Sequence, residues 1–561
     1  MLPHSLSVVG FALFWSLTLT ASLAAEGPVA RWKLAGDLKD EVSGQTQAQN
    51  QGVQFTAGRA QFDGRGSHIS LPVSPALKLG RTDFTLSVWV DKTDATDDDL
   101  GDILSQFDAA ARTGFHLSLR NNAGVTHSQP NERQLQFGID AGTEPVFTDQ
   151  GRPGNCVYGQ SMAVVNHKLY VGTCEPGATE AGHVFEYQGP GRWLDCGSPD
   201  KANSVTAMCS HQGKLYVGTG KYRLGGSALN ESENPHLGGR IFRYDGERKW
   251  TPIGHFPLME AVGGLVTFRG QLYVGSLYKP ASFHVYDGTT WKDLPVPNGK
   301  RVEALGVYNG YLWATGYDEG HVYRYDGSGW LDLGNVGEAE NTQTYAFATY
   351  QGQLQVATWR TGKVFALDNA KLPATPRDST APHDPALWVD RGRLGEELEV
   401  MGMLVHNGSL YAGTLPTAQL YRFDGGQKWS LLKQLDTTPD VKYRRVWTMA
   451  QFQGQLFATT LPSGHVWSLQ TGAAVTWDEP FPAGRAHIAA QRQGDTLRLF
   501  VNGKRVAESQ AGHASTLNLD IDHPWKIGAG SGDSFRGELG EVQVYKKALT
   551  AEEIQELASR R

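Results

Sequence analysis

Beyond the first 25 residues the chain has no apolar run long enough to span a bilayer, which leaves no membrane-crossing helix in the remainder. Charge is scarce as well. Asp, Glu, Lys and Arg make up 19% of the sequence, and a net charge of −7 supplies no basic stripe to neutralise phosphates, which argues against nucleic acid as a partner. No His-Glu-x-x-His helix, Gly-x-Ser-x-Gly elbow, phosphate loop or dinucleotide fingerprint occurs, so no catalytic residue is assigned from motif. Cysteine is rare: Cys156, Cys174, Cys196 and Cys209 lie in one short region, without the paired short spacings of a structural zinc site. In an exported chain they are expected to form disulfides, with three pairings open and buried free thiols as the alternative.

What is abundant points to one class of fold. Gly 67, Trp 15, Tyr 20 and Phe 22 suit many short strands joined by tight turns, so the chain is expected to be all-β. Residues 1–25 differ from the rest. An apolar run from Val8 to Leu19 leads into Ala21, Ser22, Leu23, Ala24 and Ala25, the pattern of a cleaved export signal. The flank before it carries no Lys or Arg, which keeps an uncleaved anchor open. After cleavage the protein is expected to be exported, whether extracellular, on the cell surface or periplasmic, and to have no membrane span.

One phrase recurs seven times in the middle of the chain, anchored at Leu169, Leu215, Leu272, Leu312, Leu354, Leu410 and Leu456 in contexts such as KLYVGT and GQLFATT. The spacings, 40 to 57 residues, match a four-stranded propeller blade with loops of variable size. A further strand and a turn follow in each unit, as in HVYRYDGSGW and AQLYRFDGGQKW, where Asp245, Asp287, Asp326 and Asp424 open Asp-Gly turns. The Trp after each turn is expected to pack between neighbouring sheets. The region resembles the kelch-like and related propeller families, which implies a seven-bladed β-propeller.

The flanks carry a different pattern, AQFDGRGSHISLPVSPALKLG and TDFTLSVWVD on one side, RLFVNGKRVAES and FRGELGEVQVY on the other. These resemble the two halves of a laminin G-like, concanavalin A-like jellyroll. The chain is therefore expected to be a signal peptide (1–25), a first jellyroll half (26–150), an inserted propeller (151–484) and a second jellyroll half (485–561). The insertion is physically reasonable because a closed ring brings its own ends together. The jellyroll resemblance also implies a structural calcium at Asp40 and Glu541, whose carboxylates suit a hard cation.

In a propeller the loops after the second strands open on one face, and there the sequence places Tyr222 and Arg223, Tyr278 and Lys279, Tyr317, Trp359 and Arg360. Aromatic rings beside cations suit saccharides bearing acidic groups. His183, His321 and His465 begin third strands and lie too far from the axis to converge on one ion. The leading reading is an exported, non-catalytic recognition protein for a glycan or a cell-surface or extracellular protein. Its rivals are a carbohydrate-active hydrolase or lyase working on the propeller face, and a structural envelope or matrix component.

Overall fold

The computed structural model describes Met1 and residues 27–560, apart from 45–46, 93–99, 228, 374–383 and 511. The expected export signal and the centre of the Pro-rich excursion at 369–385 therefore lie outside the described residues. Two sandwich sheets hold the flanks. In one, Phe84–Lys92 lies between Arg536–Tyr545 and Gly484–Gln493, with Arg59–Asp63 beyond the former and Thr496–Val501 beyond the latter. In the other, Trp525–Ile527 fills the gap between His68–Leu71 and Gly101–Asp108, and Thr113–Asn122, Asn131–Ala141 and Ala473–Pro480 follow in order. Each sheet thus interleaves strands from before and after the repeats, and neither flank can complete its hydrogen bonding alone. One core joins them, with Phe84, Leu86, Phe115 and Phe137 from the first flank packed with Ile488, Leu497, Trp525 and Val542 from the second.

Between the flanks, the described strands from Val146 to Gln470 group into seven four-stranded antiparallel blades. Their innermost strands are Tyr158–Val165, Ser204–His211, Val262–Phe268, Val302–Tyr308, Gln343–Tyr350, Glu399–His406 and Arg445–Phe452, and the seventh returns to meet the first. The seventh blade takes its outermost strand from ahead of the first: Val146–Asp149 pairs with Val466–Gln470. That strand, expected in the jellyroll, closes the ring, while Ala473–Pro480, expected in the propeller, pairs with Asn131–Ala141 in the jellyroll. A ring clasped by one strand from its other end leaves both junctions side by side, with Ala473 opposite Ile139.

The tryptophans after the turns do more than fill space. Trp193 Nε1 donates to Gln150 O (3.0 Å), Trp250 to Cys196 O (3.0 Å), Trp291 to Ile253 O (2.9 Å), Trp330 to Pro295 O (2.8 Å) and Trp429 to Arg391 O (2.9 Å), each reaching the outer strand of the preceding blade or the residue just after it. The ring apolar surface is buried and its one polar atom is satisfied across the blade boundary. In two of the turns glycine takes positive φ, Gly288 (100°) and Gly327 (103°), while Asp287 and Asp326 accept turn amides through Oδ1. The strand-opening histidines pair with aspartates of the next strand, His183 with Asp195 (2.9 Å) and His321 with Asp332 (3.1 Å), while His465 pairs with Asp149 of the closing strand (2.9 Å).

The cysteines correct the disulfide expectation. All four are buried free thiols, and Cys174, Cys196 and Cys209 belong to three separate hydrophobic clusters. Cys156 Sγ lies 3.4 Å from Gly464 O, at the seam between first and seventh blades. Each behaves as a small core hydrophobe.

Candidate functional site

Every innermost strand carries an irregularity in register near its start, at Gly159/Ser161, Val205/Ala207, Val262/Leu265, Val302/Leu305, Thr344/Phe347, Val400/Met403 and Val446/Met449. A bulge adds a residue, re-aims the side chains beside it and frees backbone groups from the ladder. Seven such bulges encircle the axis at one level. The residues just ahead of or within them include Tyr158, Glu303, Tyr345, Glu399, Arg445 and Trp447, all polar or aromatic.

The freed amides are taken by the host domain. The hairpin tip 123–130, between the jellyroll strands Thr113–Asn122 and Asn131–Ala141, enters the propeller channel. Leu265 N donates to His127 O (3.1 Å), Phe347 N to Gly124 O (2.9 Å), Val164 N to Pro130 O (2.8 Å), and Gln129 N donates to Met208 O (3.0 Å). Gly124 is required at φ +80°, because a Cβ there would stand 3.0 Å from the Phe347 ring and 3.1 Å from Gly306 Cα.

Above this plug a cavity of about 410 Å³ opens. His127 and Glu303 form its floor, with His127 Nε2 2.9 Å from Glu303 Oε1 and both side chains 1% exposed. The His127 ring meets Trp447 edge-on at 5.3 Å, and Trp447 in turn meets Tyr158 (5.6 Å) and Tyr345 (6.3 Å). Tyr222, Tyr278 and Tyr317 complete the wall. Three guanidiniums face this space. Arg223 lies over Tyr278 (4.8 Å) and pairs with Glu260, and Arg301 lies over Tyr317 (4.1 Å) and pairs with Asp318 (2.7 Å). Arg445 differs: Nη1 donates to Tyr222 Oη (2.7 Å), the buried Nε has no hydrogen-bond partner, and no carboxylate stands within ion-pairing distance among the described residues.

Electrostatics sharpens that difference. Burial pushes the neighbouring Glu399 carboxyl up to about 8, against the pull of the Arg445 cation, which favours its neutral form beside the guanidinium. Burial likewise raises the Tyr317 hydroxyl to about 12 and lifts the Tyr345 and Tyr278 hydroxyls well above their ordinary value. Because the folded-state value of Glu399 lies above its unfolded value, its contribution is full below about pH 4.5 and is lost as pH rises through about 8. Glu399→Gln should therefore gain on the parent protein, by on the order of 3 kcal/mol between about pH 5 and pH 9. Urea denaturation at both pH values measures this, and parallel changes in the two proteins would refute it. Glu175 and Asp478, both raised to about 7 by burial, act in the same direction in parent and variant and cancel in the difference.

Of the residues expected on this face, Tyr222, Arg223, Tyr278 and Tyr317 line the cavity. Trp359 packs in the same aromatic cluster without lining it, and Lys279 and Arg360 are not among the lining residues. His127, Glu303, Tyr345, Arg445 and Trp447 were not anticipated. Glu303, Tyr345, Arg445 and Trp447 lie at or near the starts of innermost strands, a position the repeat defines, whereas His127 comes from the other domain.

At the expected calcium position the donors do not fit a cation. Asp40 accepts from the backbone of Arg31 (2.9 Å), Val42 (3.1 Å) and Ser43 (3.2 Å), and Glu541 pairs with the Arg31 guanidinium, so both carboxylates already have partners from the protein. No cluster of three or more His, Cys, Asp or Glu suited to a metal occurs among the described residues.

The concanavalin A-like lectin/glucanases superfamily model matches residues 437–555, from the last blade through the second jellyroll half. The match falls mainly on the second flank, and the strand pairing itself makes the chain a two-sheet sandwich interrupted by a β-propeller. No curated protein matches it. Among solved structures it is similar to a catalytically inactive virginiamycin B lyase from Staphylococcus aureus with quinupristin (11% identity, 58% of this chain and 99% of that one, TM-score 0.40). It is also similar to YCF48 bound to D1 peptide (13%, 58% and 97%, TM-score 0.39) and to BamB from Moraxella catarrhalis (12%, 69% and 97%, TM-score 0.33). These scores lie below 0.5, and the architecture rests on the strand pairing itself.

Proposed function

We propose that this chain is an exported recognition protein whose axial propeller cavity binds a saccharide bearing an anionic group. The observation that carries the reading is Arg445, a part-buried guanidinium that has an unpartnered Nε and no ion pair among the described residues, set beside Trp447 at the bottom of the cavity. A guanidinium in that state gains strongly from a carboxylate or sulfate, which it can hold in a two-pronged, charge-assisted contact. Trp447, Tyr222 and Tyr317 line the cavity with aromatic surface, and its volume of about 410 Å³ is the size of a small-molecule site. Its concave shape suits an oligosaccharide chain better than the surface of a folded protein. Export is supported by the apolar run Val8 to Leu19 and the small residues after it.

Calorimetric titration with acidic and neutral oligosaccharides tests the reading. Acidic ligands should bind, and Arg445→Leu should weaken them by about 30- to 100-fold, the loss of a charge-assisted hydrogen-bond pair worth about 2–3 kcal/mol. Equal binding of neutral and acidic sugars, or ligand contacts confined to the jellyroll loops, would count against it.

A further inference from the structure

We propose that the same cavity cleaves its ligand, by β-elimination at a uronosyl residue, with His127 as the base, Arg445 as the carboxylate anchor and Tyr222 as the proton donor. The inference rests on the acidic-saccharide reading and goes beyond it in assigning chemistry.

The argument starts from His127. With Nε2 2.9 Å from Glu303 Oε1, the ring proton sits on Nε2, where the carboxylate accepts it, and the lone pair is left on Nδ1. Nδ1 and the second oxygen of Glu303 are both buried and have no hydrogen-bond partner among the described residues. An unmade hydrogen bond at a buried polar atom is costly, and such atoms cluster where a ligand or a reaction uses them. Glu303 thereby fixes the tautomer and compensates the imidazolium that forms when Nδ1 takes a proton, the arrangement of an oriented general base.

What such a base can remove follows from Arg445. In a uronosyl unit the C5 hydrogen lies α to the carboxylate, and neutralising that carboxylate with a guanidinium stabilises the carbanion-like charge developing on it. His127 Nδ1 takes the C5 proton, the C–H electron pair becomes the C4–C5 double bond, and the C4–O bond breaks with its electrons on the leaving oxygen. Tyr222 Oη protonates that oxygen and is left beside Arg445 Nη1, at 2.7 Å. The products are a 4,5-unsaturated uronate and a sugar with a new hydroxyl. No water, oxidant or reductant is consumed, and the proton gained by His127 and lost by Tyr222 returns through solvent.

Full-length protein is incubated with pectate, alginate and a glycosaminoglycan, following the ultraviolet absorbance of the conjugated product and the product masses, with binding measured in parallel. Unsaturated products are expected. His127→Gln and Tyr222→Phe should each lower kcat about a thousandfold with KM unchanged, and Glu303→Gln should lower kcat less, again without moving KM. Thermal melts establish that each variant is folded, and Tyr222→Phe, which removes one oxygen from the cavity wall, serves should His127→Gln fail to fold. Saturated products one water heavier, or turnover undiminished in Tyr222→Phe, would overturn the elimination. Binding without any product would overturn catalysis and leave recognition standing, whereas absence of binding would overturn the recognition reading itself.

Discussion

Replacing Arg492 by leucine is expected to destabilise the jellyroll by about 3–5 kcal/mol, read as a fall in the urea midpoint of the full chain. Arg492 is fully buried in the strand Gly484–Gln493, and among the described residues no carboxylate pairs with it. Its guanidinium instead satisfies backbone carbonyls: Nε donates to Thr82 O (2.9 Å), Nη2 to Gly80 O (2.9 Å) and Nη1 to Leu517 O (2.9 Å), while its face lies 5.0 Å from the Phe84 ring. Residues 80–84 precede the propeller and Leu517 follows it, so one side chain ties the two separated flanks. Leucine fills much of the volume but leaves those carbonyls buried without donors. Arg492→Lys should recover only part of the loss, since one ammonium cannot reach three diverging acceptors. A shift below about 1 kcal/mol would mean that the carbonyls find other donors and that this tie is not structural.

Why this tie escaped the sequence while the blades did not is a matter of distance along the chain. A blade is local: its strand pairs are set by alternating side chains and by turns within about 50 residues, so the seven leucine-anchored phrases and the Asp-Gly turns announce it directly. The jellyroll halves were legible for the same reason, each carrying its own strand patterns. Closure was not legible. Val146–Asp149 has no partner near it in sequence, and nothing in VFTD states that it will join a strand more than 300 residues away. The cavity was half legible. Tyr222, Tyr278 and Tyr317 follow second strands and were found from position in the repeat, whereas Lys279 and Arg360 share that position and do not reach the cavity. Adjacency to an aromatic ring in sequence does not set which way a loop side chain points. The His127–Glu303 pair joins residues 176 apart and in different domains, a contact fixed only by how deeply the hairpin enters the channel. The cysteines mislead because an oxidising compartment permits a disulfide without supplying the geometry, and three of these thiols sit in separate cores.

Separating the domains should show that the host jellyroll is self-sufficient and that the cavity is not. Residues 27–141 joined to 473–560 by a short Gly-rich turn should unfold cooperatively. The junction strands Asn131–Ala141 and Ala473–Pro480 already pair with Ala473 opposite Ile139, so a turn replaces the propeller without moving either strand. The two flanks expressed apart should stay unfolded, since Trp525–Ile527 and Arg536–Tyr545 would each lack the neighbours they interleave with. The propeller from residue 143 to 471 keeps its closing strand, hence its ring, and should fold as well. It loses the plug. The Val164, Leu265 and Phe347 amides lose their acceptors, the cavity floor loses His127, and Glu303 loses its only hydrogen-bonded partner among the described residues. Affinity for an acidic oligosaccharide should fall on the order of a hundredfold or more, the cost of leaving a site's supporting groups unplaced, even though every guanidinium and aromatic residue of the wall is still present. Binding by the isolated propeller as tight as that of the whole chain would show that the hairpin only fills the channel, and would remove the reason for reading the two domains as one site.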